Sequence, residues 1–229
     1  METQESNKFL VPLAIVVAGM MIAGSIYFGD KGGATPIVSN TPTKDVEVGK
    51  VGSEDHIRGA STAQFFVVEY SDTECPFCKV FHETMKDILT DYSTEVAWVY
   101  RHFPIAQLHS KAPKEAEATE CAADQGGTQM FWNYIDEVFE RTSSNDSLPE
   151  TELAVIAKDL GLDVTAFNTC LSSGKYTEFI QKSIEGAVKA GARGTPYSIV
   201  LDKDGEVKLI INGAEPIESV KAKLDALLK

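Results

Sequence analysis

Cys75 and Cys78 are the residues whose type and spacing could do chemistry in this sequence. Two cysteines three apart form a disulfide, bind a metal, or lie as two buried apolar residues. The redox use has a physical basis where the pair opens a helix. Unpaired N–H groups and the macrodipole favour negative charge there, which lowers the first thiol's pKa and stabilises the thiolate that disulfide exchange needs. The second thiol comes one turn later on the same side, and Pro76 suits a first helical turn. On this reading Cys75 is the nucleophile and Cys78 the resolving thiol. The rival is a metal site. Cys75, Cys78 and His82 share a helical face, His102 and His109 could approach, and thiolates with imidazoles suit zinc or copper(I). A closed zinc site usually needs a second close cysteine pair, which the sequence lacks, so no metal is expected. The other two cysteines, Cys121 and Cys170, lie 49 positions apart. They are expected to form a structural disulfide, with two independent buried thiols as the alternative.

Such a pair needs a strand before it and a helix after it. Gln64-Phe-Phe-Val-Val-Glu-Tyr70 is a β-branched and aromatic run that reads as a buried strand leading into Ser71-Asp-Thr-Glu-Cys75. Val80, Phe81, Met85, Ile88 and Leu89 then recur at helical spacing, and Val96–Tyr100 gives a second strand. From Arg101 to Gly191 strand signals disappear. An Ala- and Glu-rich stretch, Ala112 to Asp124, precedes helices expected from Thr128, from Pro149, from Asp163 through Cys170 and from Tyr176 to Ala190. Strands return at Tyr197–Leu201 and Val207–Ile211 around Asp204-Gly205, a hairpin signal. A last helix runs from about Pro216 to Leu228. The order is βαβ, a helical block, then ββα: an α/β fold with one sheet and a helical subdomain inserted at about 105–190. Within that block, Phe131, Trp132, Tyr134 and Phe139 read as core rather than a substrate groove. Glu115, Glu117 and Glu120 read as a solvated face. His82, His102 and His109 read as surface or capping residues, with His109 the one to line the cleft.

The chain of 229 residues, 43% hydrophobic and 24% charged, has room for one globular domain and some extras. Its net charge of −13 argues against nucleic acid as a partner. Phe9 to Phe28 is a run of 20 residues without a charge, long enough as a helix to span a bilayer. It is read as a retained single-pass anchor over residues 1–28, with a cleaved signal peptide as the alternative. Residues 29–53, rich in Gly, Pro, Ser and Thr, read as a flexible tether, and 54–229 as the folded domain. Either reading of the N-terminus places that domain on the extracytoplasmic side, where disulfides survive.

Glu69-Tyr-Ser-Asp-Thr-Glu-Cys75-Pro-Phe-Cys78, the helical block, and Gly194-Thr195-Pro196 ahead of a strand together resemble the DsbA-like thiol:disulfide oxidoreductases of the thioredoxin-like superfamily. The likeness is to membrane-anchored bacterial members and covers Ser53 to the C-terminus. It implies a thioredoxin-like fold and an oxidoreductase that needs no bound cofactor. It makes Pro196 a cis-proline facing the two thiols and Thr195 a contact for substrate backbone, with Pro76 and Phe77 beside them. Pro196 would keep a metal off the thiols and offer a strand edge to an extended substrate. Glu69 matches the family's buried carboxylate, whose raised pKa would let it relay a proton to or from Cys78. Phe77 stands where the best-known members have His, and a phenyl ring donates no hydrogen bond, so a weaker oxidant is expected. Thr73 stands where related sequences often have an aromatic residue. The implied partners are reduced or misoxidised exported proteins and a quinone-linked membrane reoxidase. Isomerases of this fold usually carry a dimerisation domain, not found here, which favours an oxidase.

Overall fold

The computed structural model describes residues 46–229. The expected anchor and most of the tether lie outside the described residues. Among the described residues, no helix is long and apolar enough to cross a membrane.

Five strands form one sheet in the order β1-β3-β2-β4-β5. β2 (Phe65–Ser71) is central and almost wholly buried. It runs parallel to β3 (Val96–His102) and antiparallel to β4 (Tyr197–Asp202), which turns into β5 (Val207–Asn212). Alternation along β2 divides the core. Val67 packs with Trp98, Val200 and helix α1 (Pro76–Asp91) on one face, while Phe66, Val68 and Tyr70 pack on the other. Between β3 and β4 come α2 (Ala112–Arg141), α3 (Glu150–Asp159), α4 (Val164–Ser173) and α5 (Thr177–Lys189). The first three share a core of their own around Tyr134, Ile156 and Phe167. The chain closes with α6 (Ile217–Leu227) against the α1 face. This is the α/β arrangement with a helical insert that the element order predicts.

Two local readings change. β1 (His56–Gly59) carried no strand signal, because four residues ending in glycine show no period. Its antiparallel pairing to β3 makes it a strand, and Arg58 fixes it by a bidentate bond to Asp136 on α2 (3.0 and 2.6 Å). Residues 46–53, counted with the tether, lie against the sheet. Val46, Val48 and Val51 pack on the Tyr70 face, and the Arg101 guanidinium donates to the Gly49 and Lys50 carbonyls. The helix expected from Thr128 is present: Gly127, with φ 63° and ψ −160°, breaks α2 into a segment from the Ala-rich stretch and a second one beginning at Thr128, a backbone conformation that favours glycine.

Candidate functional site

Cys75 sits at the N-cap of α1 with Pro76 in the first turn, and no side chain caps the helix. The free N–H groups of the first turn are therefore left to the sulfur. The Cys75 thiol is lowered to about 6. The largest cause is a hydrogen bond from the Cys78 thiol; burial opposes it, and the Thr195 hydroxyl and the N–H groups of Cys78 and Phe77 add to it. Thr195 Oγ1 is buried with no hydrogen-bond partner. The Thr195–Pro196 bond is cis, and the Thr195 carbonyl lies 3.4 Å from Cys75 Sγ. Phe77, where an imidazole was missed, is 65% exposed, and its backbone rather than its ring supports the thiolate.

Cys78 is fully buried behind it, and burial pushes its thiol well above the ordinary value, with the bond to Cys75 adding to the rise. Asp72 N–H donates to Cys78 Sγ at 3.4 Å. Glu69 lies beneath on β2. Burial raises its carboxyl to about 7, although Trp98 Nε1 donates to Oε2 at 2.9 Å. The pair is thus split into one acidic thiol, 5% exposed, and one wholly buried and held protonated. That asymmetry suits an exchange in which Cys75 carries the mixed disulfide.

Several residues read from the sequence as surface are buried under this site. Asp72 Oδ2 accepts from Ile105 N–H (2.7 Å) and faces His109 Nδ1 (2.9 Å), so His109 anchors a turn beside the site instead of lining it. That turn presents Leu108, 69% exposed. His82 lies 2.6 Å from Asp136, and His102 and His56 both contact Glu120 (2.9 and 3.1 Å). Glu115 and Glu120 are buried and the Glu117 side chain is only 12% exposed, so the acidic run is no solvated face. Burial pushes Glu115 up to about 8, with Glu74 beside it adding to the rise. Glu120 falls to about 2, because His102 and His56 outweigh the cost of burial. The physical reason is common to all: the inserted helices cover them, so the histidines face carboxylates, while Glu115, beside Glu74, is kept protonated by burial. Thr73 is buried and donates to Glu115 at 2.6 Å. Phe131, Trp132, Tyr134 and Phe139 are core.

Cys121 and Cys170 are joined as a disulfide between α2 and α4. Among the described residues, no group of three His, Cys, Asp or Glu side chains is placed to hold a metal ion. Sequence reasoning missed Asp72, Glu74 and Trp98. Asp72 and Glu74 flank the Cys75 turn and were legible as polar residues in an apolar setting, but nothing local showed that both turn inward.

A family model described as thioredoxin matches residues 52–225. The chain is similar to DsbA2 of Pseudomonas aeruginosa at 27% identity and a TM-score of 0.65, covering 78% of this chain and 97% of that one. It shares the fold of α-DsbA1 of Wolbachia pipientis (23%, TM-score 0.67, 78% and 92% covered) and of BdbD of Bacillus subtilis (18%, 0.68, 80% and 97%). A curated relative, the Na(+)/H(+) antiporter NhaA of Herminiimonas arsenicoxydans, is 36% identical over 173 residues, which are 76% of this chain and 25% of that protein. The chain therefore spans about a quarter of the length of that relative. A match running from before β1 to the last helix, through both site cysteines, makes this chain a member of the thioredoxin family and a DsbA-like thiol:disulfide oxidoreductase.

Proposed function

We propose that this protein is an oxidase of exported proteins, held to the membrane by residues 1–28 with its catalytic domain outside the cytoplasm. A substrate thiolate attacks Cys75 Sγ, and the Cys75–Cys78 bond breaks with its electron pair leaving on Cys78. A second substrate thiolate then attacks the substrate sulfur of the mixed disulfide. It forms the substrate disulfide and leaves Cys75 as a thiolate. A quinone-linked membrane partner takes the two electrons back. Thr195 and Pro196 receive the substrate backbone, and Pro76, Phe77 and the turn at Leu108 border it.

The observation that carries this reading is the unequal pair: Cys75 lowered to about 6 and Cys78 raised. A stabilised thiolate stabilises the reduced protein, which makes the disulfide a stronger oxidant. The Cys121–Cys170 disulfide supports an oxidising compartment. Equilibration with glutathione tests the direction. A potential between roughly −200 and −120 mV is expected, less oxidising than the best-known relatives because Phe77 offers no imidazole. A value near about −270 mV would make the protein a reductase. Replacing Cys78 by Ala should trap exported proteins as mixed disulfides on Cys75; a variant that traps none removes the proposed substrates.

A further inference from the structure

Side chains on β2 alternate across the sheet, so Ser71 lies on the same face as Glu69, beneath α1. Tyr100 on β3 and Ser198 on β4 stand directly beside Glu69 in the strand register. All four are buried, and Glu69 Oε1, Ser71 Oγ, Tyr100 OH and Ser198 Oγ have no hydrogen-bond partner. Buried polar atoms are nearly always satisfied, so four gathered on one face call for a role. Beside them is a sulfur that must gain and lose a proton in each catalytic cycle. Asp72 N–H, one residue beyond Ser71, contacts that sulfur at 3.4 Å. Trp98 occupies Glu69 Oε2 and leaves Oε1 for the hydroxyls.

We propose that Ser71 is the proton-relay residue between Cys78 and Glu69, its hydroxyl oriented by those of Tyr100 and Ser198. This rests on the oxidoreductase reading above. When the Cys75–Cys78 bond breaks, Ser71 Oγ–H gives its proton to the Cys78 thiolate. Protonated Glu69 restores the Ser71 proton through Oε1. One S–H bond is formed and one carboxyl O–H bond is lost; resolution of a mixed disulfide by Cys78 runs the same path backwards. Ser71 follows Glu69 by two residues on the same face of β2 and directly precedes Asp72, whose N–H meets Cys78 Sγ, so its hydroxyl sits on the face that carries both the carboxyl and the sulfur and is engaged by neither at rest. Glu69 lies near neutrality at about 7, where a group both accepts and returns a proton readily. The titratable groups facing the path are Glu69 on β2, Asp72 at its end, Tyr100 on β3, and Cys75 and Cys78 on α1.

The test mixes the reduced full chain with glutathione disulfide and follows two steps separately by acid quench and mass spectrometry. These are formation of the Cys75–glutathione mixed disulfide and its resolution by Cys78. Ser71→Ala should leave formation unchanged and slow resolution roughly 10- to 100-fold near pH 7, the gap closing at alkaline pH where hydroxide takes the proton. Ser71→Thr should recover most of the rate, and Tyr100→Phe, which keeps the ring, should slow resolution more mildly. The relay is overturned if Ser71→Ala resolves at the parent rate and pH profile, if it slows both steps equally, or if Ser71→Thr is as slow as the alanine variant. Glu69→Gln separates the two readings. If it slows resolution while Ser71→Ala does not, only the relay through Ser71 falls; if it does not slow resolution, the relay falls through its acceptor. If the parent chain forms no mixed disulfide, the oxidoreductase reading fails with it.

Discussion

At the scale of single residues, the chemistry rests on one cysteine made acidic by its surroundings and one made less so. Titrating alkylation of the reduced protein should give a midpoint near about 6 for Cys75, while Cys78 stays unreactive through neutral pH. The backbone already supplies N–H donors at Cys75, so the exposed ring of Phe77 leaves room for one more donor. Phe77→His should lower the midpoint by up to about one unit, since a nearby cation favours the thiolate. The glutathione equilibrium should move towards the reduced protein at the same time. An unchanged midpoint would show that the position 77 side chain does not reach the sulfur.

At the scale of elements, the site depends on how α1 is fastened to the helical insert. Glu74, next to Cys75, receives Thr142 Oγ–H and Leu148 N–H on one oxygen (3.0 and 3.2 Å) and Ser147 N–H on the other (3.2 Å). Its carbonyl accepts from Asn145 N–H at 2.8 Å. The segment so held has three successive non-glycine residues in the left-handed region, Ser144, Asn145 and Asp146 (φ 67°, 57° and 63°). Such a backbone persists only where surrounding bonds over-determine it. Glu74→Ala leaves those donors without their acceptor and should cost about 3 kcal/mol, read as a lower urea midpoint. The disulfide fastens the far side of the insert. Replacing Cys121 and Cys170 by Ser frees a loop of 49 residues and should cost about 4 kcal/mol on the chain-entropy view. The Cys75 alkylation midpoint should stay where it was, because neither sulfur touches the site.

At the scale of the whole molecule, the buried carboxylates set how stability follows pH. Glu69 is raised to about 7 and Glu115 to about 8, so between about 4.5 and those values the folded protein holds protons that the unfolded chain has released. Stability therefore falls as pH rises through that window. Glu120, held near 2 by its two histidines, has the opposite sign: the stability it lends above about 4.5 is lost as pH falls towards 2. Urea midpoints of the oxidised protein, in which neither site thiol titrates, should peak on the mildly acidic side of neutrality; in the reduced protein Cys75, lowered to about 6, adds stability above that pH and offsets the decline. Glu69→Gln should flatten the alkaline decline, worth about 3 kcal/mol at its full extent. A peak above pH 8 in the oxidised parent protein would contradict the buried, protonated states of both groups.

Much of this was legible from local pattern. The β-branched run at Phe65–Ser71, the amphipathic spacing after Cys78 and the Asp204-Gly205 turn each follow from steric and hydrophobic preferences that neighbours in sequence determine. So does the placing of Cys75 at a strand-to-helix junction, where helix-end donors meet its sulfur whatever lies elsewhere. Tertiary structure decided what depends on burial. His82, His102, His109, Glu115 and Glu120 look like any polar residues along a helix or strand. Only the packing of the insert over the sheet removes them from water and obliges each to find a partner. β1 likewise becomes a strand through β3 alone, and Ser71 gains a role only because Glu69, Tyr100 and Cys78 close around it. Charge and hydrogen-bond capacity belong to the sequence; the dielectric around them, and hence their acidity, belongs to the fold.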